Sequence, residues 1–419
     1  MADVVVVGAG ITGAAVAHHL ARRGASVVVL EQAARPGAAG ATGFSGGMVR
    51  AYDPDPAVAP LAVAGLAAYR DPGRWASGRA PLRTVGAVTA ADPAEEAALR
   101  EAARRINAAL GTTAHVVAGP SEAAGVRLAG GIALVEPEAG WVAPAEVTAD
   151  WLEQARADGA AVRCGVRVRA VEARGGRPVV LTDAGPVLAG AVVAAVGPWG
   201  ADPVPGLRPA VPVRSRSIQV SIVGRDPSAP AHATFVDLRT GLYAKPVGAD
   251  RTLLGMPHLV WDARIGAPPD PDHARATVAA LTAHFPWLAS APHLDTIRAA
   301  DAYGAADAYD PAGEGPASGL LTGTGVPHVW AVRGWNGGGV KTAPEAGRRI
   351  AEAVLADAYP GDTAPVRAFP ADAFPARAVP ADESPARAVP ADAAPDRAVP
   401  ADAAPARAFP ASDSCPGGV

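Results

Sequence analysis

Cysteine is nearly missing from this chain, with Cys164 and Cys415 the only two in 419 residues. Two distant cysteines make neither a disulfide framework nor a thiolate metal cluster, and a reducing compartment is the default expectation. An excess of one charge is missing too. Lys and Arg total 37 against 41 Asp and Glu, a net charge of −4, so no basic field invites nucleic acid. No apolar run is long enough to span a bilayer. The apolar start lacks a basic n-region, carries Asp3 and runs directly into GAGITG, unlike a signal peptide. A cytoplasmic protein with no membrane partner is expected. HExxH, CxxC and acidic ion-loop patterns are lacking, and the neighbours His18 and His19 do not make a metal site, so no metal is expected. What remains is 49% hydrophobic and 19% charged, with mean hydropathy +0.15. That is the profile of a globular, enzyme-sized chain with room for two domains.

Two glycine-rich segments stand out, VVVVGAGITG (Val4 to Gly13) and GWNGGGVKTAPEAGRRIAEAVL (Gly334 to Leu355). The run 4–7 reads as a buried parallel strand, 12–23 as a helix and 26–30 as a second strand, a βαβ unit. Helical patterns follow at 93–110, 144–157, 273–284 and 344–355. Between 161 and 196 lie a strand, a hairpin-like stretch and a return to the central sheet. Strand patterns with turn punctuation fill 211–259 and predict an antiparallel sheet. HVWAVRG reads as one more buried strand before the second glycine segment. The first and last thirds are thus expected to share one sheet, with a second domain inserted. From Val366 a ten-residue Pro/Ala repeat begins, with Arg367, Arg377, Arg387, Arg397 and Arg407 in register. Two prolines per repeat block helix and sheet ladders, predicting a disordered, partly polyproline tail with a passive role.

Gly8, Gly10 and Gly13 make GxGxxG. Gly8 allows a tight turn, Gly10 close approach of a pyrophosphate, and Gly13 close packing of helix on strand. The helix start at Ile11 and Thr12 offers N–H groups and positive potential to phosphate. Glu31 lies 18 residues beyond Gly13, next to Gln32. A carboxylate there accepts hydrogen bonds from ribose hydroxyls and repels a 2′-phosphate, so FAD or NAD fits and NADP does not. A second glycine loop near the C-terminus favours the longer FAD. VVAAVGPW, with Gly197 and Trp199, resembles the strand-to-loop element closing over the nucleotide half of a flavin. GVRVRAVEA, with Val168, resembles the strand lying against adenine.

On these segments residues 1–356 resemble the D-amino-acid oxidase and glycine oxidase superfamily of flavoproteins, and within it the monomeric sarcosine oxidase branch, the N-methyl amino acid oxidases. The resemblance implies an α/β fold: a Rossmann-type FAD-binding domain (1–80, 141–210 and 301–358), an inserted antiparallel-sheet substrate domain (81–140 and 211–300), and the tail (359–419). It implies extended FAD contacted by Ser45, Gly46 and Gly47 of SGGMVRAY, and by Gly334, Asn336, Gly337, Gly338, Gly339, Val340 and Lys341 of the C-terminal loop. It implies oxidation of a C–N bond beside a carboxylate. Arg50 and Lys341 then hold the substrate carboxylate, Tyr243 of LYAKP and Tyr303 of RAADAYGAAD shape the pocket, and His258 of LLGMPH sits near the substrate amine.

Two positions depart from that branch. Where it attaches flavin through cysteine, this chain has Asp301, so non-covalent FAD is expected. Where it carries an oxygen-activating lysine, this chain has Leu253, and Lys245, though near in sequence, is expected to be out of place. An oxidase passing electrons to O2 is the first reading, with a small carboxylate-bearing amine as partner. A dehydrogenase using another acceptor, an FAD-dependent desaturase or hydroxylase, and a non-catalytic flavin-bearing subunit are the alternatives. Aromatic hydroxylases usually carry a Gly-Asp pair that DAYGAADAYD lacks.

Overall fold

The valine run at the start forms the middle of a parallel sheet. In the computed structural model, which describes residues 2–128, 130–304 and 320–358, strand Ala2–Val7 lies between Val27–Glu31 and Gly185–Ala194, parallel to both. Ala161–Cys164 extends the sheet on one side and Val329–Val332 on the other, again parallel. Burial on both faces explains why these strands are continuously apolar rather than alternating. The first part of Gly185–Ala194 also pairs antiparallel with Arg177–Thr182, which in turn pairs with Val168–Arg174. The second half of DAYGAADAYD and the repeat tail lie outside the described residues.

Helices Ile11–Ala21, Pro144–Ala157 and Gly339–Ala358 pack together against this sheet, and Ala59–Arg70 packs on the last of them. Small residues set the spacing. A methyl group on Gly347 would sit 2.5 Å from Ala15 Cβ and 2.8 Å from Ala15 carbonyl carbon. Gly347→Val should therefore lower stability by about 1–3 kcal/mol through overpacking. Thermal unfolding should show a midpoint lowered by several degrees, and an unshifted midpoint would refute this close contact.

The helix Pro144–Ala157 coincides with its expected span. The segment 93–110 divides into a 3-10 turn, Pro93–Glu95, and a helix, Glu96–Leu110. The expected helix 273–284 is observed as Pro271–Leu281, started by the Asp270 side chain accepting from the Asp272 and His273 amides. The last helix starts at Gly339, five residues earlier than expected, with Pro344 inside it. A proline cannot donate to the carbonyl four residues back. Here that carbonyl, Val340 O, accepts instead from the buried Tyr69 hydroxyl at 2.7 Å.

The second sheet has the order His293–Gly304, Val213–Gly224, Arg251–Gly255, Tyr243–Val247, Thr234–Asp237, Ala87–Ala91, Ile132–Glu136, His115–Ala118. It is antiparallel except where Thr234–Asp237 runs parallel to Ala87–Ala91. That junction joins two distant chain segments, and a hairpin is not required there. The strand His293–Gly304 continues past residue 300, so Asp301 and Tyr303 stand on the second sheet.

Candidate functional site

A cleft of about 830 Å³ runs from the carboxyl ends of the first parallel strands to one face of the second sheet. At its first end the chain is bare backbone. Gly8 has φ +101°, and a Cβ on it would lie 2.5 Å from the Ala195 carbonyl oxygen. Gly13 faces away from the cleft, where a Cβ would meet Gly8 O at 2.0 Å. The first intrahelical bond is Ala14 N to Gly10 O, and Ile11 N donates to Thr42 Oγ1 at 3.0 Å. The amides of Thr12 and Gly13 are left without intrahelical acceptors. Glu31 is buried, and its two oxygens accept from Ala9 N and Ala33 N, each at 2.8 Å. Both oxygens keep a second lone pair for ribose hydroxyls. Gln32, Val168, Gly197 and Trp199 border the same end. Trp199 packs across Gly40, where a Cβ would touch its ring at 3.1 Å. Unoccupied amides, a fixed carboxylate and missing side chains together fit an adenine dinucleotide.

The second glycine segment forms the far wall. Asn336, Gly337, Gly338, Gly339, Val340 and Lys341 border the cleft. Gly334 does not. A Cβ there would strike Gly304 N at 2.4 Å, so its bareness serves packing on strand His293–Gly304. Asn336 adopts φ +51° and its Oδ1 accepts from Gly304 N at 3.0 Å, which fastens the loop to that strand. The Lys341 ammonium lies in the first turn of the helix beginning at Gly339. Ser45, Gly46 and Gly47 border the middle of the cleft.

The five residues with expected chemical roles all border this cleft but divide into three groups. Arg50 and Lys341 are together. Lys341 is buried and pairs closely with Asp53 Oδ2. Burial pushes the Asp53 carboxyl up, but the Lys341 and Arg50 charges outweigh it, and its pKa ends below the ordinary value. Burial, then the Arg50 charge, pull the Lys341 ammonium down. Glu136 completes the cluster, accepting from Ala51 N at 2.7 Å, with burial raising its pKa. Arg50 Nε is buried without a hydrogen-bond partner. Two cations thus face two acids of the chain's own. Neither Asp53 nor Glu136 carries a local sequence signal that identifies its partner.

Tyr243 and Tyr303 form the second group, with Arg216 and Asp301. In the antiparallel register Arg216 opposes Asp301, Arg214 opposes Tyr303, and Tyr243 opposes Gly255, which opposes Val220. Alternation therefore puts Tyr243, Arg216, Asp301 and Tyr303 on one sheet face. Gly255 is required beneath Tyr243, because a Cβ would overlap the ring at 1.9 Å. The Arg216 guanidinium lies 4.0 Å from the Tyr303 ring centroid. Burial raises the Tyr243 hydroxyl well above its ordinary value and Tyr303 to about 12, so both remain neutral donors. Arg216 is legible only from strand alternation through VRSRSIQVSIV once the cleft-facing parity is known.

His258 is apart from both groups. Its Nδ1 lies 2.9 Å from Ser217 Oγ, and Ser217 points to the sheet face opposite Arg216. Its ring packs on His273 at 4.3 Å, and burial with the His273 charge lowers its pKa. His258 thus borders the cleft while its ring is held by Ser217 and by His273 of helix Pro271–Leu281.

Lys245 lies directly opposite Leu253 in register. A methyl on Gly46 would touch both side chains at 3.9 Å. The lysine reaches the neighbourhood that sequence matching assigned to Leu253, since cross-strand partners share a face. Its ammonium is 3.9 Å from the Trp141 ring centroid. Burial, with Arg83 adding to it, pulls its pKa down to about 7. Unfolded lysine titrates near about 10.4. Between those values the unfolded chain binds more protons, so stability rises with pH. Lys245→Met should raise the thermal midpoint at pH 6 and change it little near pH 10. Equal shifts at the two pH values would disprove that account.

Cys164, on strand Ala161–Cys164, pairs in register with Glu31 at the nucleotide end. Among the described residues no group of His, Cys, Asp and Glu is placed to hold a metal. No described helix is long and apolar enough to cross a membrane.

Among curated proteins none matches the sequence. Solved structures do. L-proline dehydrogenase from P. horikoshii aligns with TM-score 0.69 and 19% identity, over 84% of this chain and 92% of that one. Glycine oxidase from Geobacillus kaustophilus aligns with TM-score 0.66 and 21% identity, over 84% and 94%. Iminodiacetate oxidase from Chelativorans sp. BNC1 aligns with TM-score 0.64 and 22% identity, over 84% and 95%. At these identities the likeness is one of fold. The family model described as DAO, FAD dependent oxidoreductase, matches residues 3–353. That span covers both walls of the cleft, and the chain belongs to the DAO family of FAD-dependent oxidoreductases.

Proposed function

We propose that the protein oxidises the C–N bond of a small amino acid or secondary amine carrying a carboxylate, giving an imine, and that O2 is the final acceptor, released as H2O2. The reading rests above all on one sheet face turned toward the glycine loop. It presents two neutral tyrosines and a guanidinium, Arg216, whose Nε is buried without a hydrogen-bond partner. An unpartnered buried donor favours an anionic ligand. The FAD family supports the redox class, and the solved neighbours of like fold include a glycine oxidase and an iminodiacetate oxidase.

FAD, when bound, supplies the two-electron acceptor. Thr12, Gly13 and Glu31 would hold its nucleotide half, and the 336–341 loop its flavin half, non-covalently, as Asp301 offers no thiol. The amides at the start of helix Gly339–Ala358 favour negative charge beside them. Arg50 and Arg216 supply cations for the substrate carboxylate, and anchoring it fixes the neighbouring carbon. Lys341 acts there only in balance with Asp53. Tyr243 and Tyr303 donate hydrogen bonds and limit pocket size. Lys245, packed behind the cleft-lining Gly46 with its pKa pulled down to about 7, supports the oxidase reading; the proline dehydrogenase neighbour keeps another acceptor as the competing outcome.

An anaerobic screen of amino and imino acids, read as flavin bleaching at about 450 nm, tests the proposal. Bleaching by a carboxylate-bearing amine, then peroxide on admitting air, is expected. Flavin-loaded protein that no such amine bleaches would overturn it.

A further inference from the structure

We propose that Asp301 receives the amine nitrogen of the substrate and takes a proton from it, with Arg216 holding the carboxylate of the same molecule. The inference deepens the proposed function and rests on it.

Asp301 and Arg216 are direct cross-strand partners on the face that closes the cleft. Both are half-buried. Yet among the described residues no ion pair joins them. Asp301 Oδ1 accepts from Ala302 N at 2.7 Å, and the Gly337 amide also donates to the carboxylate. Arg216 places its guanidinium over the Tyr303 ring, 4.0 Å from the centroid, and its Nε is without a partner. Adjacent opposite charges that are fixed by other contacts keep capacity for a third party. A zwitterion has the complementary pair, an ammonium and a carboxylate separated by one carbon. Neither charge alone selects it; the two together do.

The proton step balances within the pair. One N–H bond of the substrate ammonium breaks, an O–H bond forms on the Asp301 carboxylate, and the amine is left neutral with its lone pair available. No outside reactant is needed. Burial raises the Asp301 pKa to about 6, which narrows its gap to an ammonium and makes it a better acceptor than an ordinary aspartate. The groups facing Asp301 among the described residues are Arg216 from the adjacent strand, Tyr243 from its strand, and Tyr303 two residues on. Arg333 of the glycine loop turns back on Gly334 O. The segments Ala41–Phe44 and Gly197–Ala201, which pack on the Asp301 strand, contain no titratable side chain. His258, the other basic candidate, has its Nδ1 engaged by Ser217 Oγ at 2.9 Å.

The test uses FAD-loaded protein, wild type beside Asp301→Asn and Arg216→Met. Asparagine retains an oxygen for the Ala302 and Gly337 amides. With an amino acid that bleaches wild type, Asp301→Asn should slow anaerobic bleaching at pH 7 by about 100-fold or more, and the decline in rate as pH falls through about 6 should disappear. Acetate, titrated by its perturbation of the flavin spectrum, should bind Asp301→Asn as well as or better than wild type, and Arg216→Met about tenfold or more weakly. Wild-type rate and pH profile in Asp301→Asn would overturn the proposal. So would an acetate affinity reduced equally in both variants, which marks Asp301 as structural. If no amine bleaches wild type, the functional reading fails, while the acetate titrations still decide whether the charge pair receives a carboxylate.

Discussion

Gly8→Ala should yield protein that no longer retains FAD. Gly8 sits at φ +101°, where a side chain is strained by about 1–3 kcal/mol. Its Cβ would also lie 2.5 Å from the Ala195 carbonyl oxygen, on the strand-end turn that closes the nucleotide site. The contact is with backbone, so no rotamer change relieves it. The turn must open, and the helix start with its free Thr12 and Gly13 amides is displaced from the position proposed to receive the phosphates. A loss of about 3 kcal/mol is roughly a hundredfold in affinity. The ratio of flavin to protein absorbance after gel filtration, and titration of apoprotein with FAD, measure it. A fully yellow Gly8→Ala protein would refute the assigned role of this turn. Gly13→Val tests the neighbouring contact, where a Cβ would reach 2.0 Å from Gly8 O. It acts by moving the helix away from the strand, and should lower the unfolding midpoint as well as cofactor retention.

Lys341→Met should destabilise the fold and Asp53→Asn should rescue it. The pair is buried, with side chains 7% and 11% exposed. Removing one member of such a pair costs about 3–5 kcal/mol, because the remaining charge is stranded. The unfolding midpoint should fall by roughly 5–10 °C. In the double variant both charges are gone, and most of the loss should return, a strong departure from additivity. In Lys341→Met the charge and hydrogen bond that hold the Asp53 carboxyl down are gone, burial then raises its pKa, and the single-variant penalty should shrink as pH falls and the stranded carboxylate takes up a proton. Turnover separates two roles. If the double variant regains stability but its KM for a carboxylate substrate stays raised, Lys341 also serves the substrate. If stability and KM both return, Lys341 is there to neutralise Asp53. A Lys341→Met protein as stable as wild type would show that the ion pair contributes nothing.

The nucleotide end of the cleft was readable because its logic is local. Strand, turn, helix start and acid fall within the first 31 residues, so the motif is contiguous in the chain. The last helix was misjudged at its start because the group that satisfies Val340 O is Tyr69, 271 residues away. The same distance problem hid the balance in the cation cluster. Arg50 and Lys341 could be named one by one, but nothing near Lys341 announces that Asp53, 288 residues earlier, reaches its ammonium. The partners of His258 are not legible in LLGMPH, because Ser217 and His273 reach it from other elements. That Lys245 and Leu253 share a location is visible only across two strands, not along either one. The expected antiparallel insert has a parallel junction, Thr234–Asp237 with Ala87–Ala91, because it is assembled from two excursions of the chain.

The division of labour between the two sheets has a consequence for redesign. At the end proposed for the nucleotide the lining residues belong to turns and strand ends of the first sheet, whereas Arg216, Tyr243, Asp301 and Tyr303 stand on one face of strands of the other. Exchanging side chains at those four places leaves the strand ladders untouched, because each ladder is made by backbone. This face of the cleft can thus be altered one peg at a time, like resetting the pins of a lock whose barrel is never removed.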